Sequence, residues 1–155
     1  MEKSKLELNK KEYIASVFKT FDLSVNTLPE RIAFQKTVYL LQKLGSPTNF
    51  SFIWHNFGPY SREVSQLGFS IGDADKFQAQ IMNSPYFRKF VELKKGYKRD
   101  SKFLELMSDI IYIRENNKLI GEDNLFTELV NHQPYLNDWE LFKTGLQRLR
   151  MFNLI

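Results

Sequence analysis

Phe50-Ser51-Phe52-Ile53-Trp54-His55-Asn56-Phe57-Gly58-Pro59-Tyr60-Ser61-Arg62-Glu63 concentrates five aromatic residues and a histidine in fourteen positions. Phe50, Phe52 and Trp54 alternate with Ser51, Ile53 and His55, the period of two that sends successive side chains to opposite faces of an extended chain. The aromatic content favours a short strand or extended arm at 50–57. Gly58-Pro59 breaks the segment. Ser61 then caps a short helix carrying Val64 and Leu67, with Glu63 in the first turn, where a negative charge suits the helix dipole. No second strand is read directly after the aromatic run, so a sizeable sheet is not expected.

Helical signals surround this stretch. Upstream, Thr27-x-x-Glu30 is a capping box, and Pro29 sits in a first turn where its missing N–H costs nothing. A second helix is therefore predicted from Leu28 to Leu44, ended by Gly45, with Ile32, Phe34, Val38, Tyr39, Leu41 and Leu44 as its apolar set. A helix apolar over most of its circumference is central. Arg31, Gln35 and Lys36 then lie as polar groups in the middle of a core-forming segment. Earlier still, Tyr13, Ile14, Val17, Phe18 and Phe21 recur at helical spacing over 10–22, after a charged lead-in at residues 1–8 and an Asn9-to-Glu12 cap.

Downstream, Gly68 to Asp75 reads as a loop, and Phe77, Ile81 and Met82 as a helix ending near Asn83. Ser84-Pro85 restarts a helix that continues to Gly96, and Lys94 to Asp100 reads as a polar linker. Phe103, Leu104, Leu106, Met107, Ile110, Ile111 and Ile113 mark a strongly apolar helix to about Glu115. Leu125, Phe126, Leu129 and Val130 give a short one, halted by Pro134. Asn137 or Asp138 caps the last, with Trp139, Leu141, Phe142, Leu146, Leu149 and Phe152 on its face. The expectation is a mainly α fold: one compact domain over 1–155, of about seven helices, with a short aromatic extended segment or small β element near 50–57.

The whole chain bounds the function. Its 155 residues, 43% hydrophobic and 26% charged, belong to a folded globular domain. The absence of cysteine excludes a disulfide framework, a thiol nucleophile and a thiolate metal site. The first residues carry no apolar run of a signal peptide, and no run approaches membrane-spanning length, so a cytoplasmic protein with no membrane partner is expected. The formal charge of +4 is mildly basic, with acidic residues interspersed throughout.

Catalytic patterns are missing. His55 and His132 are far apart and in no zinc-binding spacing. His55 reads as a half-buried hydrogen-bonding residue and His132 as a surface helix end. The seven glycines form no phosphate cradle, and Ser61 is not on a nucleophile elbow. Acid pairs such as Asp73/Asp75 and Glu122/Asp123 sit in turns or caps. No enzyme activity, cofactor or metal is predicted.

The aromatic stretch has three readings. Phe50, Phe52, Trp54 and Phe57 can plug the core beneath the second helix. Some can instead stay exposed as anchors for a partner, since Trp, Tyr and Arg dominate interface energetics. Trp54, His55, Tyr60 and Arg62 are the candidate partner-binding residues on that reading. A third is base stacking on Trp54 or Tyr60 beside Arg31 and Lys36.

Two blocks together carry a family resemblance. Arg31-x-x-Phe34-Gln35-Lys36-x-Val38-Tyr39-Leu40-Leu41 is followed by Phe52-x-x-x-x-Phe57-Gly58-Pro59-Tyr60-Ser61-x-Glu63. This pattern resembles the YwgA-like proteins and, more distantly, the Panacea (SocA-like) antitoxin domain, over roughly residues 28–67. A weaker echo lies in Gln133-Pro134-Tyr135-Leu136 before the last helix. Thr37, Phe57 and Gln66 depart from the usual pattern, while Tyr60 after Gly-Pro matches the YwgA-like branch. The resemblance implies a small helical, non-enzymatic protein that binds another protein, antitoxin- or adaptor-like, in a toxin–antitoxin, phage or defence context. The structural motif is Arg31, Gln35, Lys36, Tyr39, Phe57, Gly58, Pro59 and Ser61; because buried polar groups need partners and a turn offers exposed carbonyls, Gln35-Lys36 is expected to clasp the backbone of the Gly58-Pro59 turn. The partner expected is a toxin or client protein, and homo-oligomers are compatible with it. The rival is a small nucleic-acid-binding regulator of winged-helix type with the aromatic arm as its wing.

Overall fold

The computed structural model describes residues 2–71, 83–97 and 101–155. Among them are seven α-helices, a 3-10 turn and one two-stranded antiparallel sheet, the mainly α fold expected. The first helix, α1, spans Glu2–Phe21. Residues 2–8, expected as a lead-in, are thus helical, and α1 runs through Asn9 instead of starting there. Glu, Lys and Leu are good helix formers, and no glycine or proline interrupts them.

Helix α2, Leu28–Lys43, begins as its capping box predicts. The Thr27 hydroxyl accepts from the Glu30 amide at 3.3 Å and donates to the Glu30 carboxylate at 2.7 Å. At its other end Gly45 takes φ +116°, in the left-handed half of backbone space.

The aromatic stretch departs from expectation in one respect. Strand β1 is Ile53–His55, and the segment read as a break is its partner: β2 is Gly58–Tyr60, paired antiparallel with Ile53 opposite Tyr60, Trp54 opposite Pro59 and His55 opposite Gly58. The turn is Asn56-Phe57. Proline serves in this strand because a two-stranded sheet leaves each strand an edge where its missing N–H breaks no ladder.

Helix α3, Arg62–Ile71, is capped by the Ser61 hydroxyl, which accepts from the Val64 amide at 3.3 Å. It continues through Gly68, which the sequence placed in a loop. A Cβ there would lie 2.6 Å from Phe34 Cε2, so the position serves close packing of α3 on α2. The helix read around Phe77, Ile81 and Met82, and Asp73/Asp75, lie outside the described residues.

Helix α4 spans Pro85–Leu93. Lys94, assigned to a polar linker, is buried: its ammonium lies 4.6 Å and 4.9 Å from the rings of Phe21 and Phe90. A cation with an apolar stem is held there by the negative faces of two rings. The remaining helices are α5 (Ser101–Asn116), α6 (Glu122–His132) and α7 (Trp139–Met151). The 3-10 turn Pro134–Leu136 precedes α7, which Asp138 caps through the Leu141 amide at 3.0 Å.

Helix α5 is the centre, packed by α2, α6, α7 and β2, while α1 lies against α3. Every residue from Phe103 to Ile111 is buried. The core is aromatic, with Phe34, Phe87, Phe90, Phe103 and Phe142 each at most 2% exposed and each contributing about 1.5–3 kcal/mol by burial. Of the aromatic side chains in the stretch, only Phe50 is buried. Phe52 packs edge-on to Tyr39 at 5.0 Å, and Trp54 and Phe57 are half-buried.

Candidate functional site: a buried charge cluster and the cavity beside it

The hairpin rests on α2 through polar contacts. The Gln35 amide nitrogen donates to the Ser61 carbonyl at 2.9 Å, and its oxygen accepts from the Ser61 amide at 3.0 Å. The Lys36 ammonium donates to the Pro59 carbonyl at 2.6 Å. Both side chains are buried, so each contact satisfies a backbone group and a side chain that water does not reach. Lys36 thus holds the Gly58-Pro59 backbone, while Gln35 holds Ser61, beyond that pair. Arg31 is tied differently: its Nη1 donates to the carbonyls of Val25 at 3.2 Å and Asn26 at 3.5 Å, in the connection before α2.

Beneath the clasp lie two acids that the sequence reading passed over. Glu105 and Asp109, one helical turn apart on α5, are 3% and 0% exposed. The Tyr135 hydroxyl donates to the Glu105 carboxylate. Neither Asp109 oxygen has a hydrogen-bond partner. Gly58 lies between Asp109 and Lys36: a Cβ on it would overlap Asp109 Oδ1, 3.0 Å from Asp109 Cγ and 3.4 Å from Lys36 Nζ. Only glycine fits, and its φ of +93° suits only glycine.

Burial governs the charges. Desolvation lowers Lys36 to about 8, against the attraction of Asp109 and then Glu105. Desolvation raises Asp109 well above the usual carboxylate range, with Lys36 opposing and Glu105 adding to the rise. Glu105 is raised for the same first reason, opposed by its Tyr135 bond and by Lys36. Tyr135 is pushed up by its own burial and then by the hydrogen bond to Glu105. One signal could have exposed the two acids. They stand four apart within residues 103–111, a run in which every other residue except Ser108 is apolar, so the segment offers them no polar face.

Above Lys36 opens a cavity of about 310 Å³ between the hairpin, α2 and α3. Its apolar wall is Leu28, Ile32, Phe34, Phe57, Tyr60 and Phe69, and its polar lining includes Arg31, Gln35, Lys36 and His55. No described acidic residue lines it.

The candidate partner-binding residues do not form one patch. His55 and Tyr60 stack with centroids 4.7 Å apart at the cavity. His55 is exposed, not half-buried as expected: its strand face turns outward and Tyr60 covers one side of the ring. Trp54, on the other face of the hairpin, packs 5.4 Å from Tyr112 and 5.1 Å from His132. Arg62 is exposed at the start of α3.

Among the described residues, no group of three or more His, Cys, Asp or Glu could hold a metal ion, and no helix is long and apolar enough to cross a membrane. Comparisons with protein-family models, curated proteins and solved structures found no match to this chain.

Proposed function

We propose that this chain is a non-enzymatic protein-interaction module, antitoxin- or adaptor-like, acting in the cytoplasm through the outer face of the hairpin and the cavity mouth. The observation that carries the reading is the apolar surface gathered there. Ile53 is 62% exposed, Phe69 59% and Leu28 46%. Leu28 and Phe69 line the cavity with Tyr60, and Ile53 stands opposite Tyr60 in the sheet. Large apolar side chains grouped on a rigid rim, with a tyrosine and an arginine beside them, are the makings of an interface core. The polar clasp beneath is structural first: it fixes the hairpin so that the rim is presented in one shape.

The nucleic-acid reading finds less support. Lys10, Lys43, Lys143 and Arg150 are ion-paired with Glu63, Glu115, Glu140 and Glu122, which spreads charge in alternation instead of gathering cations on one groove.

The test is affinity capture from the native host at low and high salt, with and without nuclease. Wild type is compared with a Tyr60→Ala/Arg62→Ala double variant whose fold is checked by circular dichroism. One stoichiometric protein that survives salt and nuclease, and is lost with the folded double variant, is the expected result. Nucleic acid released at high salt with no protein partner overturns the proposal, as does a partner that binds the double variant unchanged.

A further inference from the structure

We infer that the cavity between the hairpin, α2 and α3 is a socket for a partner peptide that ends in a bulky apolar residue with a free carboxylate. The inference rests on the interaction-module reading and names the chemistry of its partner. Three observations carry it.

The first is charge. Arg31 and Lys36 both line the cavity, His55 stands with them, and no described acidic residue faces them across the space. Arg31 makes no ion pair among the described residues. Among the described residues it hydrogen-bonds through Nη1 alone, on two backbone carbonyls, which leaves the N–H groups of Nε and Nη2 without a described partner. Lys36, buried and held by the Pro59 carbonyl, contributes its positive charge beside the cavity. The carboxyls behind it, Asp109 and Glu105, are driven toward their neutral forms by burial and offset its charge only in part. The missing complement is an anion, and a carboxylate matches the planar fork of an arginine.

The second is shape and polarity. About 310 Å³ is at the small end for ligand sites, room for one large side chain and its carboxylate, not for a folded segment. The walls are aromatic and aliphatic, and Gln35, the remaining amide, spends both ends on Ser61. An occupant must therefore be apolar in body and anionic in one place.

The third separates a peptide from a free small molecule. The apolar surface does not stop at the mouth: Leu28 and Phe69 stand out at the rim and Ile53 lies alongside. A chain leaving the cavity would cover them, whereas a ligand contained in the cavity would leave them in water.

The test uses the full chain and three probes: a five-residue acetylated peptide ending in phenylalanine with a free carboxylate, the same peptide as its C-terminal amide, and 3-phenylpropanoate. Binding is followed by amide chemical shifts and calorimetry. The free-acid peptide is expected to bind at least about tenfold more tightly than the amide, equivalent to 1.4 kcal/mol, and to shift the amides of Ile32, Gly58 and Ser65. Ser65→Phe, which fills the cavity from its α3 wall, should abolish binding with an unchanged unfolding midpoint. Arg31→Gln should narrow the acid-to-amide ratio to below about threefold, equivalent to less than 1 kcal/mol.

Equal binding of acid and amide, shifts confined to other surfaces, or no binding by any probe overturns the inference. Binding of 3-phenylpropanoate as tight as that of the peptide overturns the peptide assignment. Applied to the host partner, Ser65→Phe distinguishes the two levels. A partner still captured by that variant but lost with Tyr60→Ala/Arg62→Ala refutes the socket and leaves the module standing.

Discussion

Replacing Gly58 by alanine tests whether the hairpin is wedged between Lys36 and Asp109. Two penalties combine at this position. The φ of +93° lies where a side chain is strained, at about 1–2 kcal/mol. The new Cβ would also overlap Asp109 Oδ1, on a helix packed on all sides, and overpacking of that kind costs about 1–3 kcal/mol. The sum is about 2–5 kcal/mol. Gly45→Ala supplies the control, because Gly45 has φ +116° with nothing within 4 Å of a Cβ, so it carries the conformational penalty alone. Urea unfolding followed by far-UV circular dichroism should give Gly58→Ala an excess loss of about 2 kcal/mol over Gly45→Ala. In a domain of this size that is about 4–8 °C in Tm. Repeating Gly58→Ala in an Asp109→Ala background should remove the excess, as a double-mutant cycle with coupling of about 1–3 kcal/mol. If the two glycine variants agree within about 0.5 kcal/mol, or if Asp109→Ala gives no relief, the wedge is wrong.

Three further outcomes follow from the cluster. Tyr135→Phe removes the hydrogen bond to buried Glu105 and should lower stability by about 1–3 kcal/mol. Glu105 is already raised in the folded state, and losing this bond raises it further. Folded protein then holds the proton more tightly than unfolded, so the variant's stability should fall more steeply than wild type as pH rises above 4.5, with a parallel profile counting against the contact. Lys36 has the opposite sign. Its folded value of about 8 lies below the unfolded 10.5, so the native state releases its proton first and stability should gain, by up to about 3 kcal/mol, between those pH values. Lys36→Met should abolish this gain, and an unchanged alkaline profile in that variant would place the ammonium outside the buried cluster. Gln35→Leu leaves the Ser61 N–H and C=O without their partners and should cost about 2–4 kcal/mol; proteolysis that still spares the hairpin would show the clasp to be dispensable.

Local chemistry made the helices legible. The Thr27–Glu30 box, Pro29, Gly45, Ser61 and Asp138 each act within four residues of the structure they start or stop, and a helix is held by bonds of the same short range. The apolar pattern of α5 was plain in sequence, and the Gln35-Lys36 and Gly58-Pro59 blocks meet through Lys36 and the Pro59 carbonyl. Where the reading slipped, distant packing had intervened. Gly68 continues a helix because Phe34 fills the space above it. Lys94 is buried because Phe21 of α1 meets it from across the core, beside Phe90 one turn back on its own helix.

The sequence by itself therefore determined a mainly helical fold, the helix starts at Thr27, Ser61 and Asp138, and an extended or β segment within the aromatic stretch. Tertiary structure decided that Gly58-Pro59-Tyr60 is a strand, that Trp54 and Tyr60 face different ways, and that Lys36, Asp109, Glu105 and Tyr135 meet. It also decided that a cavity with cations and no described acid opens beside them. The reason is physical. Helix caps and periodicity are set by neighbours along the chain, whereas the charge state of a buried group depends on what is packed around it, and here those neighbours come from α2, β2, α5 and the turn before α7.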